Sequence, residues 1–294
     1  MAGTTGGTTG GGGGRTVVAQ PPPQEELHRH VAFFAILLPG RPDRAEKVEA
    51  MRRLIPSLTV LEAVDGARLE PEELRRMVAS GFLVPGADGS LVDAYVTAER
   101  RRLSRGNLGA FLSHRQAMAR VAALADAQPG GGPRYGVVLE DDVVLRPGFL
   151  EAVALLTSVC DGLREQGGVV PDVVNMYVFE QQRQFFPQFA AAAAAEAAGE
   201  VPSAALVPTP EGLWGLQAYF MPPAGASKAL GALWPMRGAV DEQVTRVGLN
   251  SLTLVGATVL DGEVIKSYTN TTAPLDDALA GVAPPTTRIG GLAG

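Results

Sequence analysis

The sequence predicts an α/β domain built on a mostly parallel sheet covered by helices on both faces. Three observations predict it. Short continuous apolar runs, of the kind buried on both sides of a sheet, recur along the chain. Stretches with apolar residues at helical spacing separate them, and polar residues gather where the runs end.

The first run is Val31 to Leu38, closed by Pro39-Gly40, and reads as a strand. Pro42 to Leu54 carries alternating charges with apolar positions at helical spacing, and Pro56 stops it. Leu58 to Val64 is a second strand, ending at Asp65-Gly66. Arg68 to Ser104 is polar, with turns expected at Pro85-Gly86 and Gly89, so helix fragments and a mobile loop are expected there. From Asn107, read as an N-cap, Leu108, Phe111, Leu112, Met118, Val121 and Ala125 mark one helix face. After glycines 130–132, Tyr135 to Leu139 is a buried strand that runs straight into Glu140-Asp141-Asp142. A helix containing Cys160 and a strand from Val173 to Phe179 follow. The alanine tract Ala190 to Ala198 reads as a solvent-facing helix or a flexible insertion. Leu216 to Met221 is a strand, Ala224 to Leu233 a helix and Leu252 to Leu260 the last strand.

The 294 residues are 46% hydrophobic and 19% charged, enough apolar material for one full core. A net charge of -6 gives no electrostatic reason to bind a nucleic acid or an anionic membrane. Cys160 is the single cysteine, which excludes an internal disulfide and a zinc–cysteine site. Residues 1–29, rich in Gly, Thr and Pro, read as a disordered tail without secretory features, residues 30–272 as one catalytic domain and residues 273–294 as a flexible tail. No apolar run is long enough to span a bilayer, so a cytoplasmic location is the default expectation.

In open α/β sheets, ligands bind beyond the carboxyl ends of the strands. Here those ends carry Gly40 to Arg44, Asp65-Gly66 and Glu140-Asp141-Asp142. Three successive carboxylates repel one another and raise their own pKa values unless a cation sits among them. In extended backbone Glu140 and Asp142 point one way and Asp141 the other. The first two are therefore the expected ligands of a hard, oxygen-preferring ion, Mg²⁺ or Mn²⁺. The alternative, acids placed at a helix N-terminus to favour its dipole, fits the end of a strand less well.

Five blocks in order, Leu37-Leu-Pro-Gly-Arg-Pro-Asp-Arg44, Ala63-Val-Asp-Gly66, Gly106-Asn-Leu-Gly-Ala-Phe-Leu-Ser-His114, Val138-Leu-Glu-Asp-Asp-Val143 and Ala218-Tyr219 with Gly225-Ala226, resemble glycosyltransferase family 25. The family includes lipooligosaccharide and collagen galactosyltransferases. The resemblance implies a GT-A type fold, a nucleotide-sugar donor such as UDP-galactose or UDP-glucose, a metal at the acidic cluster, inversion at the anomeric carbon, and a glycan or protein hydroxyl as acceptor. Two blocks depart from the family pattern. Asn107 and Ala110 stand where a Glu and a Cys are usual, and Leu38-Pro39-Gly40 replaces the usual Asn-Leu start of the first block.

Asp43 and Arg44 follow the first strand, where a nucleotide would lie, with Arg44 as a fork for the diphosphate. The plain alternative is a helix-start acid beside a surface arginine. Asp65 with Gly66 would contact ribose or base, or form an ordinary turn. Asp141 is grouped with these donor-binding residues. Arg100 to Arg102 and Arg105 form a basic run that reads mainly as a solvated face, with a phosphate-facing or acceptor-facing role as the alternative. For the acceptor proton, His114 and Asp241 compete. The sequence does not decide between them, and the reading adopted takes Asp241 as base and His114 as a positioning residue. Trp214 and Tyr219 are expected chiefly in the core, with stacking on a sugar as the alternative. Two rivals to transfer remain, a degenerate sugar- or nucleotide-binding protein and a metal-dependent phosphohydrolase.

Overall fold

The computed structural model describes residues 24–85, 91, 94–95, 103–125, 132–198, 204–255 and 260–262. Both chain ends expected to be tails lie outside these residues, except that Gln24–His30 forms a helix, α1, which buries Leu27 in the core.

The chain then runs through β1 (Val31–Leu37), α2 (Pro42–Leu54), β2 (Thr59–Glu62), α3 (Pro71–Ala79), α4 (Arg105–Ala122), β3 (Tyr135–Glu140), β4 (Val143–Leu145) and α5 (Phe149–Glu165). There follow β5 (Val173–Asn175), α6 (Glu180–Arg183), α7 (Pro187–Ala197), β6 (Ala205–Pro208), β7 (Ala218–Met221), α8 (Pro223–Ala232), α9 (Val240–Arg246), β8 (Ser251–Val255) and β9 (Leu260–Gly262). Seven strands form one sheet in the order β2-β1-β3-β7-β5-β8-β6, and β4 pairs separately with β9.

The sheet is mixed, which corrects the expectation of a mostly parallel one. β1 lies parallel to both β2 and β3, and β5 parallel to β8, but β7 is antiparallel to both its neighbours and β6 antiparallel to β8. Apolar runs buried on both faces look alike whichever way the strand points, so the run that became β7 carried no sign of its direction.

Alternation along the strands divides the core into two layers. Phe33, Ala35, Val137, Leu139 and Phe220 face one side, with Val48 and Met51 of α2 and Val153, Leu156 and Cys160 of α5. Phe34, Ile36, Val138, Tyr219 and Met221 face the other, with Leu74 of α3, Leu108, Phe111 and Met118 of α4, Ala226 and Ala229 of α8, and Val240 and Val244 of α9. Helices on both faces were expected, and both faces are covered.

Three local expectations change. α4 is capped by Ser104, not Asn107: Ser104 Oγ accepts from Asn107 N at 3.1 Å, and Asn107 Oδ1 accepts from Ser104 N at 3.0 Å. This is a capping box with Asn at its third helical position. The strand expected from Val173 to Phe179 stops at Asn175, because that side chain accepts from Tyr177 N and donates to Gly215 O, replacing ladder bonds with local ones. The strand expected from Leu252 to Leu260 is divided between β8 and β9, which lie in different sheets, and residues 256–259 fall outside the described ones. The alanine tract is helical, in α7.

The start of α4 meets the turn after β2 backbone to backbone. A Cβ on Gly66 would lie 1.8 Å from Arg105 O, and one on Gly109 would lie 2.6 Å from Val64 O. Ser113 Oγ bonds both Val64 N, at 2.8 Å, and Gly109 O, at 2.7 Å, and Arg105 donates to Ala67 O and Leu69 O. Arg105 of the basic run is thus a tie between elements, and Arg100 to Arg102 lie outside the described residues.

Gly66→Ala is expected to lower Tm by roughly 3–10 °C, because the methyl group has to push two backbones apart. Gly231→Ala, within α8 where a Cβ meets nothing within 4 Å, is expected to leave Tm unchanged or raise it slightly. Thermal melts of the two variants check this, and equal melting of Gly66→Ala and the parent protein would show that the contact is not tight.

Candidate active site

The carboxyl ends of β1, β2, β3 and β5 and the amino end of β7 meet at one edge of the sheet, and a cleft opens there with about 250 Å³ of room for solvent. Arg41, Arg44, Asp65, Gly66, Asn107, His114, Glu140, Asp141, Asp142, Phe179 and Gln217 are among its lining residues. Seven of the nine residues singled out from sequence therefore share one cavity. Asp43 and Asp241 are not in its lining.

Arg44 organises the acidic cluster. Projecting from the first turn of α2, it is 7% exposed, and its Nη1 lies 2.6 Å from Asp141 Oδ1 and 3.1 Å from Asp142 Oδ2. Asp141 Oδ2 also accepts from Leu38 N at 2.8 Å. The extended backbone ends at Glu140 and a turn follows, so Asp141 and Asp142 converge on one guanidinium and do not alternate. This corrects the expected alternation. It also moves Arg44 from an expected diphosphate fork to a buried countercharge.

The balance of burial and charge differs along the cluster. Asp141 is raised above the usual carboxylate range by burial, against the pull of Leu38 N and Arg44. Asp142 is pushed up to about 7 by burial first and by Glu140 second, and Arg44 offsets only part of this. Its Oδ1 is buried without a hydrogen-bond partner. A buried, unsatisfied carboxylate oxygen beside a second carboxylate is a costly arrangement that a hard cation would relieve. The donor set thus fits a divalent ion carried in part by substrate. Among the described residues, no group of three or more His, Cys, Asp or Glu side chains forms a ready cage.

His114 is 2% exposed, with both ring nitrogens engaged: Nε2 lies 3.0 Å from Glu140 Oε1 and Nδ1 lies 3.3 Å from the Tyr219 hydroxyl. Burial, reinforced by Glu140, holds the Tyr219 hydroxyl well above its ordinary pKa, so it stays protonated and is a donor. The neutral tautomer that satisfies all three groups has Tyr219 O–H donating to Nδ1 and Nε2–H donating to Glu140. His114 therefore orients Glu140. Tyr219 belongs to the core as expected, whereas Trp214 is 45% exposed.

Asp43 is exposed and forked with Arg41 at 3.0 and 2.8 Å, and the hydrogen bond from Arg41 holds its carboxyl down to about 2. Of the two guanidinium groups at the cleft, the exposed one is thus Arg41, which the sequence reading passed over for Arg44. Asp65 caps its own turn, accepting from Ala67 N at 3.0 Å, and pairs with Arg68. Asp241, at the start of α9, accepts from Gly215 N at 3.1 Å and from Glu242 N at 3.0 Å. Burial raises its carboxyl pKa against those two bonds, and the charges of Glu140 and His114 also act on it. It lies behind Gly215, against whose Cα side the cleft residues Phe179 and Gln217 pack. Gln217, with a buried Oε1 that has no partner, and Phe179 were not singled out from sequence, and only the neighbouring Ala218-Tyr219 block pointed to that region.

Asn107, the departure at the usual Glu position, has its side chain committed to the α4 cap. Glu and Gln are the usual residues at that capping position. The substitution keeps a helix cap.

Comparison with curated proteins gives no match. Among solved structures, the crystal structure of A197 from STIV is similar over 79% of this chain and 83% of its own, at 11% identity and a TM-score of 0.35. Among the described residues, no helix is long and apolar enough to cross a membrane. The family model described as Glycosyltransferase family 25 (LPS biosynthesis protein) matches residues 52–244, a span that holds the Gly66–Gly109 contact, His114, the three carboxylates and Asp241. The chain is a glycosyltransferase and belongs to family 25.

Proposed function

We propose that this glycosyltransferase is a metal-dependent, inverting hexosyltransferase of GT-A type that moves galactose or glucose from a UDP-sugar to a hydroxyl of a glycan or protein. The observation that carries the reading is the convergence of Asp141 and Asp142 on a single buried guanidinium beside Glu140, with Asp142 Oδ1 left unsatisfied at the cleft. Glu140 and Asp142 would hold Mn²⁺ or Mg²⁺, which when bound supplies Lewis-acid stabilisation of the charge growing on the departing diphosphate.

The chain's own residues do the rest. Arg44 keeps the carboxylates in place, and the Tyr219–His114 pair fixes the rotamer of Glu140. Arg41, braced by Asp43, faces the diphosphate, and Asp65 with Gly66 borders the nucleoside. The bond between the sugar's anomeric carbon and the diphosphate oxygen breaks, and the acceptor oxygen bonds to that carbon from the opposite face. The acceptor proton passes to Asp241, whose raised pKa brings it toward the working pH of a base. His114 is poorly suited to that task, because both nitrogens are taken by groups it must keep.

Purified protein incubated with UDP-galactose or UDP-glucose and Mn²⁺ is expected to release UDP and not inorganic phosphate, with chelation lowering the rate at least about tenfold. Phosphate release, or indifference to chelation, would overturn the reading. Asp241→Asn is expected to depress transfer by roughly two to four orders of magnitude with donor affinity retained. His114→Gln should lower transfer modestly. The assignment of the base fails if the two variants behave the other way round.

The acidic cluster also predicts a pH dependence. With a folded pKa near 7 and an unfolded value of 3.8, Asp142 keeps a proton in the folded protein that the unfolded chain has already released. Stability contributed by this group therefore falls as pH rises between about 4 and 7 and levels off above. Asp142→Asn escapes that loss, so its Tm relative to the parent should climb across this window. Mn²⁺ should raise the parent's Tm at pH 8 and leave the variant's nearly unchanged. Melting curves at pH 4.5 and 8 test this, and a pH-independent difference between the two proteins would contradict it.

A further inference from the structure

The loop from Thr209 to Gln217 is fastened to α9, α6 and β5 at Gly212, Trp214 and Gly215. Gly212 N donates to Thr245 Oγ1 at 3.1 Å, Trp214 Nε1 donates to Glu242 Oε1 at 2.8 Å, and Gly215 N donates to Asp241 Oδ2 at 3.1 Å. Asn175 Nδ2 donates to Gly215 O at 3.0 Å. The buried Gln182, with its amide turned to satisfy both groups, donates to Trp214 O at 2.8 Å and accepts from Trp214 N at 3.0 Å.

Trp214 is thus restrained at both backbone groups and at its ring nitrogen, yet is 45% exposed. Single exposed apolar side chains are ordinary, but an ordinary one keeps its rotamer freedom. Here a carboxylate that is 3% exposed fixes the indole and takes up its one donor, so what the ring offers outward is apolar face. Its neighbour Gly215, at φ +104°, packs against two residues that line the cleft: a Cβ there would meet Gln217 Oε1 at 2.7 Å and the Phe179 ring at 3.0 Å.

We infer that Trp214 is a preorganised stacking platform for a pyranose ring of the acceptor, at the rim of the cleft on the α9 side. This rests on the transfer reading above and assigns the acceptor's class as a saccharide. A sugar ring presents C–H groups on its faces and hydroxyls at its edge, which suits an apolar plate whose neighbour Gly215 packs on the cleft-lining Gln217 and Phe179. Because Glu242 and Asp241 are consecutive, the residue that orients the plate and the residue proposed to take the acceptor's proton share one helix turn.

The chain has two tryptophans, so Trp234→Phe leaves Trp214 as the sole indole emitter. In that protein, lactose, maltose, cellobiose and diacetylchitobiose are titrated at millimolar concentrations. At least one is expected to shift or quench the emission saturably. In parallel, Trp214→Ala should raise KM for a saccharide acceptor by about tenfold or more, with KM for the UDP-sugar within about twofold of the parent and Trp214→Phe recovering most of the loss. Both variants lose the N–H that pairs the buried Glu242 carboxylate, so both should melt a few degrees below the parent, a shared loss that does not follow the difference in acceptor KM. Unchanged emission with all four saccharides, or an unchanged acceptor KM in Trp214→Ala while the parent transfers sugar, would overturn the platform and leave the transfer reading standing. If the parent neither transfers sugar nor releases UDP but Trp214 still responds to a saccharide, the platform stands and the transfer reading falls.

Discussion

The site depends on one buried guanidinium. Arg44 comes from the first turn of α2, and its two carboxylate partners come from the turn after β3, close to a hundred residues later in the chain. Without Arg44, Asp141 and Asp142 would be two adjoining acids in a region that excludes water, and removing one partner of such a group is strongly destabilising. The guanidinium does not cancel the cluster, however. Two carboxylates share one cation with a third, Glu140, beside them, burial pushes Asp142 up to about 7, and an oxygen is left unsatisfied. The cluster therefore keeps a net negative charge, which suits the metal ion proposed above.

Glu140 is governed differently. It ends a strand, so the backbone sets where its side chain starts, and Gln217 O takes its N–H at 2.7 Å. Its carboxylate is then aimed by His114, which is itself fixed by a hydroxyl buried in the core. The path from Tyr219 through His114 to Glu140 crosses from β7 to α4 to β3, the elements whose close approach the small residues of α4 permit. Packing and polar geometry are coupled here: a shift of α4 against the Gly66 turn would move the imidazole and with it the carboxylate.

Much of this was legible in the residues themselves. Val31 to Leu38 and Tyr135 to Leu139 announce strands because buried strands need continuous apolar runs, and Glu140 to Asp142 announce a site because such acids have no place in a core. The five ordered blocks fall at the cleft or on the elements that build it. What was not legible is geometry that depends on the third dimension. An arginine three residues from another looks equivalent to it in sequence, and only the turn of α2 decides that Arg44 goes inward while Arg41 stays at the rim. Asn107 looked like the cap because it precedes the apolar periodicity, whereas Ser104 caps and Asn107 reciprocates. Strand direction in β7 and β6 left no mark, since hydrophobic patterning has no polarity along the chain.

Trp214 shows the same limit from the other side. Composition favours burying a tryptophan, and a sequence reading that followed composition placed it in the core. The structure instead holds it out with bonds that stabilise a conformation and bury little apolar area, and the bond to its ring nitrogen comes from the helix that also carries Asp241. A loop fastened to α9 by Thr245, Glu242 and Asp241 cannot move relative to that helix without breaking three bonds. The ring and the carboxylate behind Gly215 therefore keep a constant separation, so an acceptor stacked as proposed above would be held at a set distance from that carboxylate. Orientation of this kind lowers the barrier to transfer without any group acting on the bond that breaks.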